Sequence, residues 1–207
     1  MQPQQVGQLI NTAHAANISG EYNTAAKRCK QVLQLFPNIP EAWYNLAISQ
    51  IGLGKKNKAI ESFNKARELT QNSADAQNSI GLRLIELDEF SLAENCLKRA
   101  IALSPDNAFP YSNLGKLRER QGNLSDAESF FRKALELRPD LALLHANLGG
   151  ILNALFRYYD ARAHCEHALN IDNTLTSAWI QLSAALYGLR RYEETVNACH
   201  KAIQLDP

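Results

Sequence analysis

His164 and His167 stand three apart in "AHCEHAL", so on a helix both imidazoles share one face, and Cys199 with His200 come 35 residues after His164 and Cys165. Imidazole and thiolate donors gathered in this way could bind zinc. Little else in the chain is suited to chemistry. "GLGKK", Gly52 to Lys56, lacks both the spacing of a phosphate-binding loop and the Ser or Thr that must come after the lysine. There is no nucleophile elbow and no HExxH pattern. Glu86, Asp88 and Glu89 lie together in a stretch that reads as a solvated turn rather than an acid/base pair. Deciding between ligand and packing roles for His164, His167 and Cys199 requires the elements that position them.

Those elements emerge from self-similarity. The chain aligns on itself every 34 residues without insertions, giving repeats at 6–39, 40–73, 74–107, 108–141, 142–175 and 176–207 behind a short extension, 1–5. Numbering positions 1 to 34 in each repeat, position 20 reads Ala25, Ala59, Ala93, Ala127, Ala161 and Thr195; position 27 reads Val32, Ala66, Ala100, Ala134, Ala168 and Ala202. Small residues recur where two helices must come close. Position 7 (Thr12, Leu46, Ile80, Leu114, Leu148, Leu182) and position 30 (Leu35, Leu69, Leu103, Leu137, Ile171, Leu205) read as core. Proline at position 32 (Pro37, Pro105, Pro139, Pro207) stops a second helix, and Gln71 and Asn173 depart from it. Glycine at position 15 (Gly20, Gly54, Gly122) supplies the turn between helices; where Asp88, Phe156 and Arg190 replace it, the turn is expected to be built differently. Each repeat is thus helix A, about positions 2–14, then helix B, about 18–31. Nothing alternates with the period of a strand.

In this register Cys29, Cys165 and Cys199 all occupy position 24, where Phe63 and Phe131 stand in other repeats. They read as packing residues, and no metal or cofactor is expected. Four dispersed cysteines with no CxxC suit reduced thiols and a cytoplasmic location. A net charge of +1 gives no field for nucleic acid or anionic lipid, and no apolar run is long enough to span a bilayer.

"AWYNLAISQIGLGKKNKAIESFNKARELTQ" and "PYSNLGKLRERQGNLSDAESFFRKALELRP" resemble tetratricopeptide repeats, and the resemblance runs from Val6 to Pro207. The aromatic residues at position 17 (Tyr22, Phe90, Tyr158, Tyr192) belong to the same pattern; Lys56 and Leu124 there, and Gln77 at position 4, depart from it. The resemblance implies an all-α, right-handed solenoid whose A helices line a concave groove, and a protein-interaction scaffold rather than an enzyme. A helical wheel at 100° per residue places positions 4, 7, 8 and 11 towards the core and positions 2, 5, 6, 9, 12 and 13 opposite it, with position 6 about 150° from the core centre. Position 6 reads Asn11, Asn45, Ser79, Asn113, Asn147 and Gln181. A carboxamide can pair with both the N–H and the C=O of an extended peptide, or with a neighbouring helix, and both readings stay open. The expected peptide-binding surface is Asn11, Asn45, Asn113, Asn147 and Gln181, with Tyr44, Phe109, Lys116 and Tyr187 beside them. This amide column resembles the repeat regions of O-linked N-acetylglucosamine transferases and SPINDLY-like proteins. The carboxylate clamp of chaperone-binding members is missing: the first repeat has Ile10 and His14, and the third Asp75 and Ser79, in place of the residues it needs.

The last repeat closes at "IQLDP" with no further amphipathic helix to cover it. The expectation is a fragment of a longer protein, either a free scaffold or the substrate-recruiting arm of a transferase, with self-association through the uncapped repeat as another possibility. The ligand is expected to be a protein or peptide.

Overall fold

The computed structural model describes residues 2–206. All regular structure among them is helical, in two compact units divided after Ser104. The first holds α1 (Pro3–Ile18), α2 (Tyr22–Leu35), α3 (Pro40–Gly52), α4 (Lys56–Leu69), α5 (Ala74–Glu86) and α6 (Phe90–Leu103). The second holds α7 (Ala108–Arg120), α8 (Leu124–Leu137), α9 (Ala142–Ala154), α10 (Tyr158–Ile171), α11 (Thr176–Gly188) and α12 (Tyr192–Leu205). Odd-numbered helices are the A helices and even-numbered the B helices of the six repeats. From the second repeat onward, helix A covers positions 1–13; in all six, helix B covers positions 17–30, so each begins one residue earlier than expected.

The alanines do what their spacing implies. Ala25, Ala59, Ala93, Ala127 and Ala161 are fully buried, as are Val32, Ala100, Ala134 and Ala168. Phe63, Phe131 and Cys165 at position 24 are equally inaccessible, filling the space between the two helices of their own repeats. A Cβ added to Gly149 would lie 2.6 Å from Cys165 Sγ, so the thiol is packed directly on the α9 backbone. Position 30 departs from the expectation of a core site: Leu35 is 57% exposed and Leu69, Leu103, Ile171 and Leu205 are also exposed. Each is the last residue of its B helix, as is Leu137, which is partly covered by the cluster of Ala108, Ala134 and Leu144. Thr12 at position 7 is exposed as well.

The turn from A to B is built the same way six times, which corrects the expectation for Asp88, Phe156 and Arg190. All three sit at φ near +60°, in the same left-handed region as Gly20, Gly54 and Gly122. Around each, two N–H groups turn back to the end of helix A. Gly20 donates to Asn17 O (3.3 Å) and Glu21 to Ala16 O (2.8 Å); Arg190 donates to Tyr187 O (2.9 Å) and Arg191 to Leu186 O (2.9 Å). This is the Schellman pattern, and it satisfies carbonyls that would otherwise have no partner at the helix end. The hydrogen bonds fix the conformation, and a side chain at this position is accepted at a cost of about 1–2 kcal/mol.

The return from B to A is held by a different device. Position 4 of one repeat donates to the carbonyl at position 32 of the repeat before: Trp43 Nε1 to Pro37 O (2.7 Å), Trp179 Nε1 to Asn173 O (2.9 Å), and His145 Nε2, 3.1 Å from Pro139 O. The third repeat has Gln77 at position 4 and comes after a repeat with no proline at position 32. There the amide donates to Arg67 O (3.0 Å) and Thr70 O (3.1 Å) at the end of α4.

Arg190 is exposed and makes no ion pair among the described residues, so Arg190→Gly removes the left-handed penalty at little loss of contact. The gain expected in a urea titration is about 0.5–1 kcal/mol, the strain relieved less the added freedom of the unfolded chain. Arg190→Ala keeps the Cβ and should gain nothing.

Candidate functional site

In the first unit, residues of three successive A helices and the end of one B helix enclose a cavity of about 300 Å³. His14 comes from α1, Glu41, Tyr44 and Asn45 from α3, and Ala76, Ser79 and Ile80 from α5; Ala66 lies on α4 and Thr70 just after it. Its walls are largely apolar. Tyr44 is held edge-on against buried Phe63, with centroids 5.6 Å apart and planes at 66°. The Tyr44 hydroxyl accepts a long hydrogen bond from Arg83 Nε (3.5 Å), and Arg83 is itself neutralised by both carboxylate oxygens of Glu86 (2.9 and 3.1 Å).

The expected amide column divides into distinct environments. Asn45 is 7% exposed and Asn113 6%, whereas Asn11 is exposed and Asn147 and Gln181 are partly buried. The helical wheel is corrected here because it assumes one packed side per A helix, and adjacent A helices also pack on each other. Asn17 Nδ2 donates to the Asn45 carbonyl oxygen (2.9 Å) and reaches Asn45 Oδ1 (3.5 Å). The Ser49 hydroxyl lies 2.8 Å from both Asn17 Oδ1 and Asn45 O, and His14 Nδ1 lies 3.4 Å from Asn45 Oδ1. Asn45 Nδ2 donates to Glu41 O in its own helix (3.0 Å). The pattern recurs in the second unit, where Asn153 Nδ2 donates to Gln181 O (2.8 Å) and reaches Gln181 Oε1 (3.4 Å). Asn17 and Asn153 are both at position 12, and the sequence reading does not single them out. Their signal is a pair of asparagines 28 residues ahead of an amide at position 6. Asn147 Nδ2 is buried with no partner among the described residues. Of the flanking residues, Phe109 and Tyr187 are exposed and Lys116 is partly buried.

The histidines gather differently from the sequence pattern. His164 and His167 meet His145 of α9, not Cys199 and His200: the Nδ1 atoms of His145 and His164 are 3.0 Å apart, and the His167 ring stands edge-on to His145 at 4.3 Å. Among the described residues, no three or more His, Cys, Asp or Glu side chains converge as metal ligands. Because His145 Nε2 faces a carbonyl, it carries the proton, so neutral His145 accepts at Nδ1 from His164 Nδ1–H. Burial holds both imidazoles below the usual histidine range, with each positive charge also opposed by neighbouring histidines; Arg132 adds to this at His164, and Asp160 acts against it. Three of the thiols are held protonated for a similar reason. Burial pushes Cys29 and Cys96 up to about 11 and Cys165 to about 12, so none is a thiolate at neutral pH.

An all-helical array of 34-residue helix-turn-helix repeats with an A-helix cavity defines a class, and family models agree. Models described as "Tetratricopeptide repeat" match residues 16–81 and 108–141, and one described as "TPR repeat" matches 81–122. The chain belongs to the tetratricopeptide repeat family. No curated protein sequence matches it. Its fold is similar to that of PilW, a type IV pilus biogenesis factor (TM-score 0.80, 19% identity, 95% of this chain and 91% of that one). It is also similar to pilF of Pseudomonas aeruginosa (0.75, 19%, 98% and 90%). A third similar structure is the APC/C hetero-tetramer Cut9-Hcn1 (0.74, 18%, 98%), of whose matched chain this sequence spans 40%. No helix among the described residues is long and apolar enough to cross a membrane.

Two measurements test these contacts. Asn17→Ala removes one of the two side-chain donors to the Asn45 carbonyl and one of the two acceptors near the Ser49 hydroxyl, and should destabilise the first unit by about 1–3 kcal/mol, whereas exposed Asn11→Ala should change stability by less than about 0.5 kcal/mol in the same urea titration. The second concerns pH. With folded-state values lowered at His145 and His164, the unfolded chain takes up more protons below the ordinary histidine value of about 6.5. Stability is then fully present above that value and lost as pH falls through it, by at most about 1.4 kcal/mol per pH unit per proton. Thermal melts from pH 8 to pH 5 should show this decline, and His145→Gln should flatten it.

Proposed function

We propose that this chain is a protein-interaction scaffold that holds an extended segment of a partner polypeptide along its A-helix face, with Tyr44 at the contact and Asn45 shaping the wall beside it. The observation that carries this reading is the cavity between α1, α3 and α5, an apolar recess of side-chain size on the repeat surface. Pockets of this character are where ligands gather most of their contact energy. The position-6 amides contribute differently from rung to rung. Asn45 and Gln181 are engaged by Asn17 and Asn153, so their part is to shape the surface, while Asn11 remains open to a guest. Phe109 and Tyr187 give the second unit exposed aromatic surface on its own A helices, and Lys116 a single cation. Assemblies formed by structurally similar chains, such as the Cut9-Hcn1 hetero-tetramer, support a binding rather than a catalytic role.

The test is photocrosslinking with a benzophenone amino acid in place of Tyr44, in extract of the source cells, with the adduct then reconstituted from purified components. A discrete polypeptide adduct at Tyr44 that is lacking when the probe replaces exposed Lys65 on α4 is the expected result. Equal labelling from both positions would remove the assignment to the A-helix face.

A further inference from the structure

The cavity also carries information about what enters it. Its volume, about 300 Å³, lies at the lower end of the roughly 300–1,000 Å³ typical of small-molecule pockets, which suits one large side chain better than a cofactor. Pro40, Ala66, Ala76, Ile80 and the Tyr44 ring supply apolar wall, with His14, Asn45, Thr70 and Ser79 as the polar groups between them. At its edge the charge is one-sided. Glu41 lines the cavity, is exposed, and makes no ion pair among the described residues. Asp75 occupies the same repeat position on α5, exposed and likewise without an ion pair among the described residues. Arg83, beside the Tyr44 hydroxyl, is compensated by Glu86.

Resting on the scaffold reading above, we infer that this cavity selects an extended peptide carrying one bulky apolar residue, of phenylalanine, leucine or methionine size, with a lysine or arginine two residues away. The spacing comes from strand geometry: alternate side chains point the same way, and because Glu41 itself lines the cavity, the cation that faces it is on the nearest same-side residue, two along and about 7 Å from the anchor. The apolar anchor supplies the contact area by leaving water. The cation supplies discrimination, because a neutral or acidic residue at that place leaves Glu41 unpaired or repelled.

The test uses the whole purified chain and a fluorescein-labelled nonapeptide library with two positions fixed and the rest randomised, read by polarisation. Replacing the apolar residue by alanine should weaken binding about tenfold and replacing the basic residue about two- to fivefold, and the advantage of the basic residue should shrink at high salt. Glu41→Lys, a surface change that leaves the fold intact, should exchange the preference for Lys or Arg for one for Asp or Glu. Ala76→Leu, checked for helical content by circular dichroism, should fill the recess and erase the apolar preference. Peptide binding that ignores both substitutions would overturn the inference and leave the scaffold reading standing, since a Tyr44 adduct is measured separately. Failure of every library member to bind, or self-association broken by Ala76→Leu, would overturn it too, the latter by naming a second copy of the chain as occupant.

Discussion

Everything in this molecule depends on how closely helix B can lie against helix A. Ala25, Ala59, Ala93, Ala127 and Ala161 carry a single methyl each, and all are sealed from solvent. That close approach leaves room for one larger group per repeat at position 24, taken by phenylalanine, leucine or a cysteine thiol. A single two-helix unit has too little apolar surface to offset the entropy of ordering it, so each repeat leans on its neighbours. The cysteines at position 24 are one consequence: Cys29 and Cys165 are buried volume, and their burial keeps them protonated.

Two hydrogen-bonding devices then fix the chain's path, and they differ in how much they ask of the side chain. The A-to-B turn is a backbone construction, so glycine, aspartate, phenylalanine and arginine all fit it. The B-to-A turn is in four places braced by a side chain, from a donor at position 4, while Tyr111 of the fourth repeat packs there instead. Tryptophan, histidine and glutamine serve, each with its own reach. His145 serves two partners at once. Its Nε2 proton belongs to the loop carbonyl, which commits Nδ1 to accept from His164 and makes a structural bond sensitive to acid.

The helices are legible in the sequence because period, alanine pairs and prolines agree, and errors there amount to one residue at an end, apart from α1, which begins at Pro3, four residues earlier than expected and within the short extension. Less is legible about faces. A wheel drawn for one helix cannot know that α1 packs against α3 and α9 against α11, and so it turns Asn45 outward when Asn17 and Ser49 cover it. Position 30 misleads for the complementary reason: its leucines repeat as a core residue would, yet the helix ends there. The cavity is partly visible in Tyr44 and Asn45, which the sequence singles out. Ala66, Thr70 and Ala76 are invisible, because small residues on separate elements announce nothing until the elements are brought together.

Tyr22 and Tyr158, both at position 17, rest on Gly52 and Gly188 at position 13 of the next repeat, and a Cβ at Gly188 would lie 2.5 Å from the Tyr158 ring. The second repeat has Lys56 in place of the tyrosine, and Glu86 stands where the glycine would be. At these two junctions ring and hole are paired like a key cut for one lock. Though six units share a fold, they are not interchangeable beads: exchanging the second with the third would set Tyr22 against Glu86, so the order of the array is written into its side chains.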